Sequence, residues 1–340
     1  MTARFELIVS VIALALLACA PALSPLVHLD ISIVSEVLVT ALAVMSVNLL
    51  LGYTGLPAFG NAAYFGLGAY GAALSVKYFN VDFFGAVLIG VVAALAGGLI
   101  LGPFLLRRRG IYFGLLSIAF GQVFYFVAYR YTDVTGGEDG MNFPRPPIGL
   151  VHAALNEASF YYLVLVMFAL SLLAFRTVVR SPFGRTLIAI RQNETRVRYL
   201  GLNTDRFIFV ALLISATMAG LGGALFGLLI NFAYPLELDW HQSGYFVLMM
   251  ILGGAGTVWG SLVGAIIYVI GKDILSTVIQ SQWQILLGAL FVACVLGFPR
   301  GIVGTVQALR RGRGGGQQFT DDDVNAAFDP AAPVEVGRGR

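Results

Sequence analysis

The charged residues of this chain are placed for recognition, and none of them forms a catalytic set. The segment Arg180–Arg206 carries six arginines and no lysine. Inside it, Glu194 has Arg191 at i−3 and Arg198 at i+4, the spacings at which side chains pair on a helix. Cys19 and Cys294 lie far apart inside apolar runs, and His28, His152 and His241 show no ligand spacing. No metal site and no catalytic residue is expected. A nucleotide-binding loop is also missing: no G-x-x-x-x-G-K-[ST] occurs, and Gly271-Lys272-Asp273 lacks both the upstream glycine spacing and the hydroxyl.

A second set of polar residues falls within apolar sequence. Residues 51–71 read LGYTGLPAFGNAAYFGLGAYG, where glycines and a proline interrupt what should be membrane depth. Irregular backbone survives there only when protein buries it or when it lines a cavity. The glycines suit close helix packing or a transport pathway. Asn61 and Tyr64 share a helical face, which either lines a path for a polar ligand or bonds another helix. With Asn48, Tyr53, Gln122 and Asn231 they are the candidate pathway residues. No Asp, Glu or Lys is expected mid-span, which argues against a proton relay or ion-coupled carrier.

The elements that position these residues follow from composition. The chain is 58% hydrophobic and 11% charged, with a mean hydropathy of +0.85, whereas soluble domains carry about 25% charged residues. The apolar runs do not alternate with period two as barrel strands do. The fold class is therefore all-α polytopic membrane protein, with membrane lipid as its surroundings and no nucleic-acid partner. Apolar segments lie near 31–51, 59–79, 83–106, 111–131, 157–178, 207–231, 243–254, 257–280 and 283–299. A first segment, about Phe5 to Val27, is longer than a signal-peptide core and is read as a retained helix, giving about ten transmembrane helices. Segment 243–254 is too short to span and ends in Gly253-Gly254-Ala255-Gly256, so it is expected to be broken or re-entrant. The run Leu252–Gly260 echoes Leu51–Gly55 and its sequel, a hint of an internal repeat.

Orientation follows from the arginines. With both termini cytoplasmic, Arg4, Arg107–Arg109, the insert taken as 176–206 and the tail from Arg300 lie inside. Only Lys77, Arg130, Arg145 and Lys272 remain near the outer face. Residues 1–306 are expected to form the membrane domain, and 307–340, polar and rich in glycine and proline, a disordered cytoplasmic tail.

The insert itself has helical periodicity: Phe183, Leu187, Ile190 and Val197 fall on one stripe. Ser181 and Pro182 form a start signal, and Gly201 followed by Asn203 a stop. A cytoplasmic helix over about 184–201 results. It either lies on anionic lipid, serves only as an orientation signal, or docks a partner; an apolar stripe with one central acid suits a groove.

Several motifs in order resemble the inner-membrane permeases of branched-chain amino acid ABC importers, of the M-permease subunit type. They are Asn48-Leu-Leu-Leu-Gly-Tyr-Thr-Gly55, Phe59-Gly-Asn-Ala-Ala-Tyr-Phe-Gly66, Arg109-Gly-Ile-Tyr-Phe113, Thr135-Gly-Gly-Glu-Asp-Gly140 and Ser181-Pro-Phe-Gly-Arg-Thr-Leu-Ile-Ala-Ile-Arg191. Asn193-Glu194 with Gly201, Ala219-Gly-Leu-Gly-Gly-Ala224, Leu252-Gly-Gly-Ala-Gly256 and Phe298-Pro-Arg-Gly301 complete the series, which covers about 40–302. The resemblance implies a multi-pass subunit of the bacterial inner (plasma) membrane. It would pair with a second, different permease, two ABC ATPase subunits and a periplasmic substrate-binding protein. It would have no cofactor of its own, ATP being bound by the partners. It further implies that 184–201 is the coupling helix, with Arg185, Arg191, Glu194, Arg198 and Gly201 as its ATPase-coupling residues. Where the family tends to carry two alanines after the acid, this chain has Arg196 and Val197. The cargo implied is a branched-chain amino acid or a related small amide or acid. The alternative is a self-sufficient secondary transporter or channel for a small polar solute, and a lipid-modifying enzyme would need clustered acids or histidines that are not apparent.

Overall fold

The computed structural model describes Leu17 and residues 30–147, 157–278, 283–298 and 301–305. The expected first helix, apart from Leu17, and the expected tail lie outside the described residues. Each of the other nine apolar segments is a helix. In chain order, α1 is Ile31–Val47, prolonged by a π-helical turn Asn48–Tyr53; α2 is Asn61–Phe79, α3 Phe83–Leu105 and α4 Ile111–Arg130. Next come α5 (Glu157–Arg180), the insert helix α6 (Pro182–Tyr199), α7 (Thr204–Ile230), α8 (Trp240–Gly253), α9 (Gly260–Val278) and α10 (Trp283–Gly297). Six are long and apolar enough to cross a membrane: Ile31–Tyr53, Phe83–Leu105, Ile111–Arg130, Glu157–Arg180, Thr204–Ile230 and Gly260–Thr277. The estimate of ten spans is thus approximate. α8, at 14 residues, reaches about 21 Å, short of the ~30 Å hydrocarbon layer.

Burial follows what lipid demands. α1 is almost wholly enclosed, whereas α4 is mostly outward-facing. The outward faces of α3, α4 and α5 carry Leu88, Ile100, Val123, Phe126, Val166 and Leu170, an apolar exterior suited to hydrocarbon or to another membrane helix.

Helix α7 is the hub, packed on α1, α2, α3 and α6. Its small residues Ala219–Ala224 let three neighbours approach to backbone contact. A Cβ on Gly223 would run into the Phe65 carbonyl of α2, and one on Gly68 would meet the Gly220 carbonyl of α7. A Cβ on Gly220 would strike Ala94 of α3. Close packing is therefore what most of the glycines of α2 supply.

Arg107–Arg109, α6 and the start of α7 gather at one end of the bundle. At the other, Met141–Asn142 pairs antiparallel with Phe232–Ala233, Met141 opposite Ala233. This two-residue ladder ties the loop after α4 to the connector after α7. The Thr135–Pro147 loop is thus ordered by pairing and by Thr135 Oγ1, which donates to the Ala128 carbonyl at 2.5 Å.

Gly223→Ala is expected to cost about 1–3 kcal/mol through overpacking, seen as a lower thermal midpoint in detergent. Gly288→Ala, where a Cβ meets nothing within 4 Å, is expected to leave the midpoint unchanged.

Candidate functional site

Two broken helices meet at Asn48. The first break is the π turn 48–53 with the loop to Gly60; the second is Gly254–Trp259 between α8 and α9. Asn48 is fully buried. Its amide nitrogen donates to the Thr257 carbonyl at 2.8 Å and to Ser261 Oγ at 3.1 Å, while its Oδ1 accepts from the Gly256 amide at 2.8 Å. One side chain thereby satisfies backbone groups that the second break leaves open. The close approach needs Gly52, where a Cβ would collide with Asn48 Oδ1 and Gly256 N. The echo between Leu51–Gly55 and Leu252–Gly260 thus corresponds to two breaks in direct contact.

Asn61, at the start of α2, donates to Ser46 Oγ at 3.0 Å and to Ser215 Oγ at 2.9 Å, and Ser215 Oγ donates to the Ser46 carbonyl at 2.8 Å. Of the two roles left open for Asn61, the structure shows the interhelical bonds joining α1, α2 and α7. Next to it, Ser243 Oγ of α8 accepts from the Ala62 amide at 2.8 Å, so a neighbouring helix caps α2. Asn61 and Tyr64 also line a cavity of about 10 Å³ with Gly60, Ser117 and Phe113, about one water in size. Tyr53 is buried edge-on to Phe175, 5.8 Å between centroids. Gln122 reaches Asp239 Oδ2 only at 3.4 Å. Asn231 closes α7 in the left-handed conformation, φ 54°.

Helix α6 begins as expected, Ser181 Oγ accepting from the Gly184 amide at 3.3 Å. Phe183, Leu187, Ile190 and Val197 form the inward stripe, Phe183 stacked on Phe207 at 5.7 Å. It is not one uninterrupted helix over 184–201. It spans 182–199 and kinks at Asn193 (φ −160°, ψ 98°), whose Oδ1 recaps the last turn by accepting from the Arg196 amide at 2.9 Å. Glu194, next after the kink, faces the bundle. Gly201, at φ 81°, makes the exit turn.

Arg109 Nε donates to both Glu194 oxygens at 3.1 and 3.2 Å. Arg198 Nη2 and Thr204 Oγ1 donate to Glu194 Oε1 at 2.8 and 2.9 Å. Arg109 also pairs with Asp205. This network locks α6 to the end of α3 and the start of α7. Partial burial works to raise the Glu194 carboxyl; the hydrogen bonds from Arg109 and Thr204, with the charges of Arg109 and Arg198, outweigh it and hold it below its ordinary value. Arg191 turns away from Glu194. It lies across Gly55 and donates through Nη1 to the Gly52 carbonyl, joining α6 to the first break. Arg185 is left exposed, as are Ile188, Tyr199 and Leu200.

Two features escaped the sequence. Arg109 reaches Glu194 across 85 positions, a pairing no local spacing announces. Glu237 and Asp239, which the sequence places in an outer loop, sit on a connector packed back against the bundle. A Cβ on Gly66 of α2 would meet Leu238, which places that turn about 20 Å along α2 from Phe79. Glu237 is buried there, although Tyr234–Asp239, polar sequence between apolar runs, resembles any exterior loop. Among the described residues no group of His, Cys, Asp and Glu can hold a metal.

The family described as branched-chain amino acid transport system / permease component matches residues 31–295. The high-affinity branched-chain amino acid transport system permease protein LivM of Escherichia coli is 28% identical over 282 residues, 76% of this chain and 66% of that protein. The chain therefore spans about two thirds of that relative's length. A probable branched-chain amino acid transport permease protein LivM of Methanocaldococcus jannaschii is 25% identical over 68% of this chain and 76% of its own. LivH of Escherichia coli, a second permease protein of that transport system, is 28% identical over 137 residues, 40% of this chain and 44% of its own. No solved structure matches.

Replacing Asn48 by leucine leaves the Gly256 amide and Thr257 carbonyl unmet, at about 1–3 kcal/mol for each buried group. Thermal unfolding in detergent is expected to show the loss. The pH dependence of Glu194 has a definite sign. A carboxyl held below its unfolded value of about 4.3 contributes fully above that value and loses its contribution as pH falls through the lower folded one. Hydrogen exchange in α6 is expected to be unaffected by docking changes from pH 8 to 5 and to accelerate in an extra step only below about pH 4. Glu194→Gln is expected to abolish that step.

Proposed function

We propose that this chain, which belongs to the family of branched-chain amino acid transport system permease components, is one of two unlike membrane subunits of an ATP-binding cassette importer of the inner membrane. Its cargo is a branched-chain amino acid or a related small solute. Two ATPase subunits bind at the arginine end, which is cytoplasmic, and a periplasmic binding protein delivers solute at the ladder end. This orientation follows from the positive charge gathered at Arg107–Arg109 and α6. LivM and LivH of Escherichia coli are both permease proteins of one named transport system, which supports a second permease beside this one.

The observation that carries the proposal is the path from α6 to the two breaks. The exposed ridge of Arg185, Ile188, Tyr199 and Leu200 is the docking face. Arg191, Glu194 and Arg198 transmit the movement, because their side chains are spent on the bundle, and Gly201 gives the turn that sets α6 against α7. ATP-driven closure of the partner subunits moves α6 as a lever. The Arg191–Gly52 bond passes that movement to the first break, and Asn48 passes it to the second. Broken helices are where transporters form their solute sites, so this route ends at the solute site. The chain itself performs no bond chemistry.

In liposomes containing the full assembly, Glu194→Lys is expected to place a lysine against Arg109 and Arg198. ATP-driven uptake should fall at least tenfold while insertion of the chain and ATP hydrolysis persist. Uptake at the wild-type rate would contradict the lever.

A further inference from the structure

Lys272 of α9 pairs with Glu36 of α1 at 3.5 Å, their side chains 45% and 29% exposed. Both lie inside helices long enough to cross a membrane, Ile31–Tyr53 and Gly260–Thr277. Each is about 8 Å from the helix end remote from α6. Ionisable groups at such depth turn toward protein or water and away from hydrocarbon.

The same two helices meet at Asn48, which donates to the Thr257 carbonyl and Ser261 Oγ. Asn48 is twelve positions after Glu36, and Lys272 eleven after Ser261, about 17–18 Å along each helix. The matched spacing means that α1 and α9 run antiparallel and are clamped at both ends of one stretch. The clamps differ in character. Asn48 is fully buried and bonds at 2.8 and 3.1 Å, so parting it would strand buried backbone groups. The Glu36–Lys272 contact is longer than an ordinary hydrogen bond and partly exposed, and such pairs are held weakly. Helix α9 thus has a firm end at the second break and a releasable end far from it. Its neighbours are tied to the releasable half. Tyr268, one turn before Lys272, lies 5.6 Å from Tyr245 of α8 and 6.0 Å from Phe291 of α10, between ring centroids.

Resting on the importer function above, we propose that Glu36 and Lys272 form the outer latch of the solute path. Closed, the latch holds α9 against the enclosed helix α1. Open, it lets α9 swing about the Asn48 contact, carrying the facing parts of α8 and α10. The pivot is the contact that receives the movement of α6 through Gly52, so displacement at the arginine end becomes release at the other.

The test uses the complete assembly in liposomes, with Cys19→Ser and Cys294→Ser as background. Spin labels on Ser32→Cys and Ile274→Cys, exposed positions near the latch, report the distance between α1 and α9. The distance is expected to shift by several ångströms between the ATP-free and vanadate-trapped states. An identical distance distribution in both states overturns the latch, whichever solute is carried. Leucine uptake is the second readout. Joining Glu36→Cys to Lys272→Cys by a short reducible bifunctional thiol reagent is expected to lower ATP-driven uptake at least tenfold, and reductant to restore it. Glu36→Lys and Lys272→Glu, which leave the outer end unable to close, are each expected to lower uptake at least tenfold. The double exchange is expected to recover at least a third of the wild-type rate. A bridged chain that transports at full rate, or an exchange no better than the single changes, overturns the proposal. Leucine uptake that needs no ATP overturns the underlying importer function instead, and the distance comparison judges the latch separately.

Discussion

Every backbone amide and carbonyl inside a bilayer must find a partner within the protein, and this bundle breaks two helices at that depth. Asn48 makes the arrangement tenable. Its side-chain amide bonds to Gly256, Thr257 and Ser261, so the irregular strand of one break is completed by a side chain of the other. The glycines around it are placed by the same need, since Gly52 leaves the room that this approach requires. Ser46, Asn61 and Ser215 repeat the solution one turn away. These polar contacts fix which helices meet, and the glycines of α7 fix how closely.

The first break lies next to α6, which on the proposed function is the element that shifts it. The arginine helix is held at two points of different character. Glu194 ties it to the ends of α3 and α7 through Arg109, Arg198 and Thr204, in a half-exposed ionic network. Arg191 ties it to the Gly52 carbonyl inside the first break. The first attachment keeps α6 in place, and the second makes its position felt where the backbone is irregular.

Much of this was legible in the sequence because its causes are local. Ser181-Pro182 announced the start of α6, the stripe Phe183–Val197 its buried face, and Gly253–Gly256 the break that ends the short helix α8. The glycines of 51–71 pointed to tight packing, and the motif series to the family. The rest depends on contacts between distant positions. Nothing near Arg109 in sequence marks Glu194 as its partner. The burial of Glu237 was hidden because its turn packs against Gly66, far away on α2. Arg191 was grouped with Glu194 by helical spacing, yet its guanidinium reaches Gly52, since the break presents a carbonyl that the helix surface does not.

The central claim is that α6 is the element through which an ATPase drives this permease. A photo-reactive residue at Arg185 or Tyr199, on the exposed ridge, tests it in native membranes, with cross-linked products identified by mass spectrometry. The account predicts adducts with an ATP-binding subunit from both positions, in yields that change when ATP is bound. No such adduct from either position, from a chain that moves solute in liposomes without ATP, would contradict it.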